Sequence, residues 1–168
     1  MQALLSRAAD LGALLSARGE TVAVAESASG GLVSAALLSV PGASAYYLGG
    51  AVVYTASARA ALLGVGAAEM AGLRSASEPY ALLLARTVRE RHGATWGLAE
   101  TGAAGPSGNR YGDAAGHTCL AVSGPVERVV TLETGAADRA ANMRAFAAAL
   151  LERFGEALAA APPAGPSG

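Results

Sequence analysis

The chain contains no lysine: all 12 of its basic side chains are arginines. No chemistry carried out here uses a lysine amine as base, nucleophile or Schiff-base partner. A single cysteine, Cys119, is present. That excludes an intramolecular disulfide and a multi-cysteine metal site, and the residue reads as a small buried hydrophobe in a strand. His92 and His117 have no metal-ligating neighbours at a usable spacing, so neither a metal nor another cofactor is expected. Charged residues make up only 15% of the chain, the net charge is −1, and no block of like charges occurs. This argues against nucleic acid as a partner. No apolar run reaches the roughly 18–20 residues of a membrane span. Arg7 and Asp10 interrupt the amphipathic N-terminal stretch where a signal-peptide core would lie, and the expectation is a cytoplasmic protein with no membrane partner.

Hydrophobic residues make up 52% of the 168 residues, enough for one domain with a sizeable core, placed at 1–159. The tail 160–168, rich in Ala, Pro and Gly, is expected to be disordered. Leucines at helical spacing predict a helix over 2–18. The apolar run 21–26 predicts a buried strand, and 30–40 a helix stopped by Pro41-Gly42. A strand at 48–55 is followed by a short helix at 57–64 and by a candidate helix at 67–73. Ser77 as N-cap, Pro79 in the first turn and Gly93 beyond the end mark a helix over 77–93. Then come a strand at 94–100 with Trp96 in the core, a Gly-rich loop at 102–116, a hairpin of 117–122 with 126–133, and a long helix over 138–159. Strands alternating with helices predict an α/β fold. The form expected is a layered α/β/α sandwich whose mostly parallel mixed sheet includes an antiparallel hairpin. Such sheets bind ligands at the carboxyl ends of their strands, near a switch point.

Two loops fall at such ends, 26-ESASGG-31 and 101-TGAAGPSG-108. Taken alone, the first reads either as a helix start with capping serines or as an active loop whose N–H groups hold an oxyanion or a phosphate. It lacks the G-x-S-x-G elbow and the Walker G-K-[ST], and no G-x-G-x-x-G follows the first strand. The second loop is long enough to be functional, with Arg110, Tyr111 and Asp113 facing either a ligand or solvent. Glu26 and Glu100 each end a strand. They suit acid–base or ligand-orienting work, or capping and pairing with arginine.

Together these stretches resemble the CinA C-terminal domain family. Its E-S-C-T-G-G is matched by 26-ESASGG-31, its V-P-G-S-S by 40-VPGAS-44, and its G-G-x-V-x-Y-S-N-x-x-K-x-x-L-L-G-V by 49-GGAVVYTASARAALLGV-65. Its V-S-E is matched by 76-ASE-78 and its T-G-I-A-G-P-x-G-G by 101-TGAAGPSGN-109. The resemblance covers about residues 4–155. It implies hydrolysis of the carboxamide of nicotinamide mononucleotide, giving nicotinic acid mononucleotide and ammonia, by a serine nucleophile with a lysine base. The serine falls on Ser27, the motif's tyrosine on Tyr54 and the lysine on Arg59; these three form the expected catalytic set. Glu26, Ser29, Gly30, Gly31, Thr101, Gly102, Gly105 and Arg139 form the expected substrate site, with Arg144 a weaker correspondence. The implied partners are a small-molecule nucleotide and further copies of the chain in a homo-oligomer.

Arg59 departs from the family pattern in a way that changes the chemistry. A buried lysine loses its proton near neutrality, whereas an arginine keeps its charge. Arg59 still suits a phosphate or a carboxylate. A replacement base would have to be Glu26, His117 or another carboxylate. Two readings follow: an amidase with an altered base, or a nucleotide-binding homologue with little amidase activity.

Overall fold

A computed structural model describes residues 2–163. The elements run α1 (Gln2–Arg18), β1 (Val22–Glu26), α2 (Leu32–Leu38), a 3-10 turn at Ala43–Ala45, β2 (Tyr47–Val52), α3 (Ala56–Leu63), α4 (Glu78–His92), β3 (Trp96–Ala103), β4 (His117–Ser123), β5 (Arg128–Glu133) and α5 (Arg139–Ala160). The sheet order is β2-β1-β3-β4-β5. β1 pairs in parallel with β2 and β3, while β3–β4 and β4–β5 are antiparallel. The chain thus steps from β1 to one neighbour and later returns to the other, so the switch point falls at the carboxyl end of β1.

Alternation along the central strands divides the core in two. Val22, Val24, Trp96, Leu98, Leu120 and Val122 face α1, α2 and α5. The intervening Ala23, Ala25, Ala99 and Ala121 face α4 and the end of α3. Large side chains thus fill one face and methyl groups the other, and α4 lies close against the sheet. Gly97 marks the tightest point: a Cβ there would sit 2.0 Å from the Ala85 carbonyl oxygen of α4. On the opposite face Trp96 meets Phe154 edge-on, with ring centroids 5.6 Å apart, and its Nε1–H donates to Glu20 Oε2 at 2.7 Å.

Several boundaries move from those expected. α2 begins at Leu32 because Gly30 and Gly31 both take positive φ, 66° and 95°, and cannot open a right-handed helix. The stretch 67–73 forms only turns, closed by Met70 N–H to Gly66 O and Leu73 N–H to Met70 O. It is too short to bury an apolar face of its own. β3 continues three residues past Glu100, because Thr101, Gly102 and Ala103 pair with Cys119, Thr118 and His117 of β4. β5 starts at Arg128 rather than 126. α5 extends to Ala160, and Ala161 is buried in the core, so order persists past the expected start of the tail. Residues 164–168 of that tail lie outside the described residues. Among the described residues no helix is long and apolar enough to cross a membrane.

Two glycine replacements test this packing with opposite signs. In Gly97→Ala the new methyl meets backbone, and a loss of about 1–3 kcal/mol is expected in urea denaturation. In Gly155→Ala, inside α5, the new Cβ makes an ordinary 3.6 Å contact with Leu11. Better helix propensity should then stabilise the protein by about 0.5–1 kcal/mol.

Candidate active site

β1, β2 and β3 run parallel, so their carboxyl ends lie together and their outgoing segments meet. A cleft of about 440 Å³ opens there, lined among others by Ser27 after β1, Tyr54 and Arg59 after β2, and Thr101 and Gly102 at the end of β3. The two loops expected to converge do so. A second cavity of about 300 Å³ shares Tyr54, Gly102 and Asn109 with the first and adds Gly105, Ser107 and Arg139. Arg139 is exposed. It donates to Gly105 O at 2.8 Å and to Tyr54 Oη at 3.0 Å, with its guanidinium carbon 5.7 Å from the Tyr54 ring centre. Arg144 is exposed and lines neither cavity.

Not all of the first motif reaches the cleft. Glu26 and Ser29 are fully buried beneath the turn, and Gly30 and Gly31 do not line the cavity. The Gly30 and Gly31 N–H groups expected to hold a ligand's anion are already engaged within the protein, Gly31 by its own carboxylate Glu26. Glu26 Oε2 accepts from Ser29 Oγ (2.8 Å), Gly31 N (3.0 Å) and Val33 N (3.0 Å), and Oε1 from Ser34 N (2.8 Å) and Ser34 Oγ (2.6 Å). Gly30 N donates to Ser27 O at 3.1 Å. An anion therefore sits at the start of α2, as the unsatisfied donors of a helix N-terminus favour, and it is Glu26. Glu26 and the Gly30 and Gly31 amides thus have their hydrogen bonds inside the protein and not in the cleft.

Glu100, equally buried, holds the turn from the other side. Its Oε2 accepts from Ser27 N (3.1 Å) and Ser29 N (2.7 Å), and its Oε1 from Thr118 Oγ1 (3.0 Å). Burial pushes its carboxyl above the usual range, and the Ser29, Ser27 and Thr118 donors oppose that shift.

Arg59 projects from the first turn of α3, whose N-cap Thr55 accepts from Ala58 N. Its guanidinium carbon lies 5.6 Å from the Tyr80 ring centre, and Nη1 donates to Ser75 Oγ at 3.3 Å. Nε is shut off from solvent with no acceptor. Among the described residues no carboxylate lies within ion-pairing distance of it. Burial pushes the Tyr80 hydroxyl upward, opposed by Arg59. Arg110 is the other charged residue in the cleft lining, which contains no carboxylate, histidine or lysine.

His117 stands behind this wall rather than in it. Its Nδ1 lies 2.5 Å from Glu133 Oε1, and its Nε2 lies 2.9 Å from Ala76 O and 3.7 Å from Asp113 Oδ2. With an acceptor at each ring nitrogen the imidazolium form is the one fully satisfied, which leaves no lone pair for Ser27. Burial alone lowers the His117 pKa; Glu133, the Ala76 carbonyl and Asp113 outweigh it, and the net shift is upward. Ala76, which lines the cleft, is held at a φ of 54° by His117 and by its own N–H to Thr101 Oγ1 (3.2 Å). Asp113 pairs with Arg74 at 2.6 and 3.2 Å, which holds its carboxyl below the usual range. It faces Arg74 rather than a ligand. Tyr111 lies between Arg74 and Arg110, at 5.2 and 5.0 Å. Ser75, Tyr80 and Asn109 are lining residues that sequence reasoning missed. The motif 76-ASE-78 pointed near Ser75 and Tyr80, and 101-TGAAGPSGN-109 ends on Asn109, but none of the three was singled out.

Residues 5–158 match the family described as CinA C-terminal domain. The chain belongs to that family. Curated relatives called CinA-like protein include one from Anaeromyxobacter sp. (strain K), 43% identical over 144 residues, covering 84% of this chain and 35% of that protein. Another, from Salinibacter ruber, is 40% identical over 142 residues, covering 84% and 34%. The chain thus spans about a third of the length of these relatives. Among solved structures, a competence-damaged protein (CinA) superfamily protein from Klebsiella pneumoniae superposes with a TM-score of 0.87 at 26% identity, covering 94% of this chain and 98% of that one. The competence/damage inducible protein CihA from Agrobacterium tumefaciens does so at 0.83 and 30% identity, covering 94% and 96%.

The two carboxylates predict different responses to an amide. Glu100→Gln keeps an oxygen for Ser27 and Ser29, and its NH₂ meets Thr118 Oγ1, which has Thr101 O as an alternative acceptor. Glu26→Gln turns an NH₂ against a backbone N–H whichever way it sits. It should cost about 1–3 kcal/mol more than Glu100→Gln in chemical denaturation. His117 gives a pH test. Its folded pKa is raised, so its contribution is complete below the ordinary histidine value of about 6.5 and is lost as pH rises through the folded value. The Tm difference between the protein and His117→Gln should be largest near pH 6 and shrink on going alkaline.

Proposed function

We propose that this chain hydrolyses the carboxamide of nicotinamide mononucleotide, releasing nicotinic acid mononucleotide and ammonia, with Ser27 as nucleophile. The observation that carries this reading is that Ser27, Tyr54 and Arg59, which fall on the family's serine, tyrosine and lysine, line one cleft at the switch point of the sheet. Ser27 Oγ attacks the amide carbon and loses its proton, the C–N bond breaks, and the departing nitrogen takes up one proton to leave as ammonia. Water then cleaves the acyl-serine, giving the acid and restoring the hydroxyl. Arg59 does not take the serine proton; its fixed charge stabilises the oxyanion that develops on the amide oxygen. Arg139, in the adjoining cavity, is the cation for the phosphate.

The proton from Ser27 has few destinations in the cleft. The lining groups able to accept it are tyrosines, Tyr54, Tyr80 and Tyr111, and only once they have themselves ionised to phenolates. Of these, Tyr111 is held below its usual value, first by Arg110. Turnover on this reading is slow at neutral pH and rises toward alkaline pH. A second reading, a nucleotide-binding homologue with little turnover, is favoured by one observation: the lining contains no lysine, histidine or carboxylate to act as base.

Ammonia release from nicotinamide mononucleotide separates the two. The amidase reading expects slow release that increases with pH and is abolished in Ser27→Ala; release that survives Ser27→Ala removes Ser27 as nucleophile. Arg59→Lys restores a side chain able to lose its proton and should raise kcat by about 10²–10⁴-fold. Binding without release at any pH, in both the protein and Arg59→Lys, selects the second reading.

A further inference from the structure

We propose that Arg59 makes the deep part of the cleft a carboxylate site, so that the chain holds the acid form of an aromatic ligand more tightly than its carboxamide form. The inference deepens the nucleotide reading and takes from it only the identity of the ring.

A guanidinium presents five N–H donors in a rigid plane and no acceptor. In Arg59 one donor reaches Ser75 Oγ, at the long distance of 3.3 Å, and one face is stacked toward Tyr80. Nε has no acceptor although water does not reach it. No carboxylate among the described residues offsets the charge, and the only other charged residue in the lining is Arg110, also a cation. The protein has thus placed a half-buried cation in the cleft that Ser27 also lines, with no carboxylate among the described residues at ion-pairing distance. On this proposal the side chain turns its Nε–Nη edge, with Nε now buried, onto a ligand acceptor in the cleft. A carboxylate offers two acceptor oxygens spaced for that fork. A carboxamide offers one, and its NH₂ sets donors against donors. Two exposed tyrosines in the lining, Tyr54 and Tyr111, supply flat apolar surface for the ring that bears the carboxylate. On the amidase reading this is tight retention of the reaction's own product; on the binding reading it is selectivity for the acid nucleotide.

Isothermal titration with nicotinic acid mononucleotide and nicotinamide mononucleotide tests the inference, on the protein and on Ser27→Ala, where hydrolysis does not interfere. The acid form is expected to bind at least about tenfold tighter in both, the worth of one charge-assisted pair. In Arg59→Gln the ratio should fall to near one. If that variant does not fold, Arg59→Lys must lower the ratio, because an ammonium has no planar fork. Equal affinities, a preference for the amide, or an unchanged ratio in these variants overturns the carboxylate site. Inorganic phosphate as competitor separates the anions: displacement of the acid nucleotide that is lost in Arg59→Gln, with no acid preference, assigns Arg59 to phosphate and overturns the inference. If neither nucleotide binds, the nucleotide reading fails, and titration with benzoate against benzamide still decides whether Arg59 holds a carboxylate.

Discussion

Two carboxylates shut off from water, Glu26 and Glu100, grip the turn between β1 and α2 from opposite sides, and the rest of the site depends on that grip. A desolvated carboxylate is costly unless donors surround it. Here the donors are the backbone N–H and serine hydroxyl groups of residues 27–34, with Thr118. Each side solves the other's problem: the turn needs acceptors and the carboxylates need donors. Ser27 is thereby fixed where β1 ends, and Gly30 and Gly31 take the left-handed conformations that let the chain fold back over Glu26.

The same arrangement decides what is left for a ligand. Because α2 is capped from within, the cations that line the two cavities are arginines from elsewhere in the chain, Arg59 from α3, Arg110 from the loop after β3, and Arg139 from α5. These charges are set by residue type and not by pH. The family pattern places a lysine where this chain has Arg59, so a side chain able to lose its proton is replaced by a permanent cation. Membership in the CinA C-terminal domain family and the retained cleft are thus compatible with two quite different turnover rates.

The alternation of strands and helices, the switch point and the convergence of the two loops were legible in the sequence because apolar periodicity and glycine punctuation report them directly. Ser77 and Gly93 bounded α4 where expected, because capping is local chemistry. The misreadings have a common cause. Thr101–Ala103 looked like loop because Gly and Ala carry little strand propensity, and the partner that makes them strand lies fourteen or more residues on, in β4. Glu26 looked available because a strand-end carboxylate and a helix-capping carboxylate are the same letter; only three-dimensional contacts reveal the donors around it. Ser75 and Tyr80 carried no local signal, since they reach the cleft through tertiary packing, and Asn109 was legible only as the end of the second loop's motif.

The unequal faces of the sheet bear on how this protein tolerates change. On the side of α1, α2 and α5, long side chains interdigitate, and rotamer adjustment can absorb a substitution. On the side of α4, the alanines and Gly97 of the strands bring backbone nearly onto backbone, and those positions have no rotamers to adjust. Sequence drift is therefore expected to accumulate on the first face, while the alanine face stays nearly frozen. Ser77 and the cleft wall at Ala76 adjoin the N-terminus of α4. The wall of the cleft thus inherits the rigidity of the face that has least room to vary.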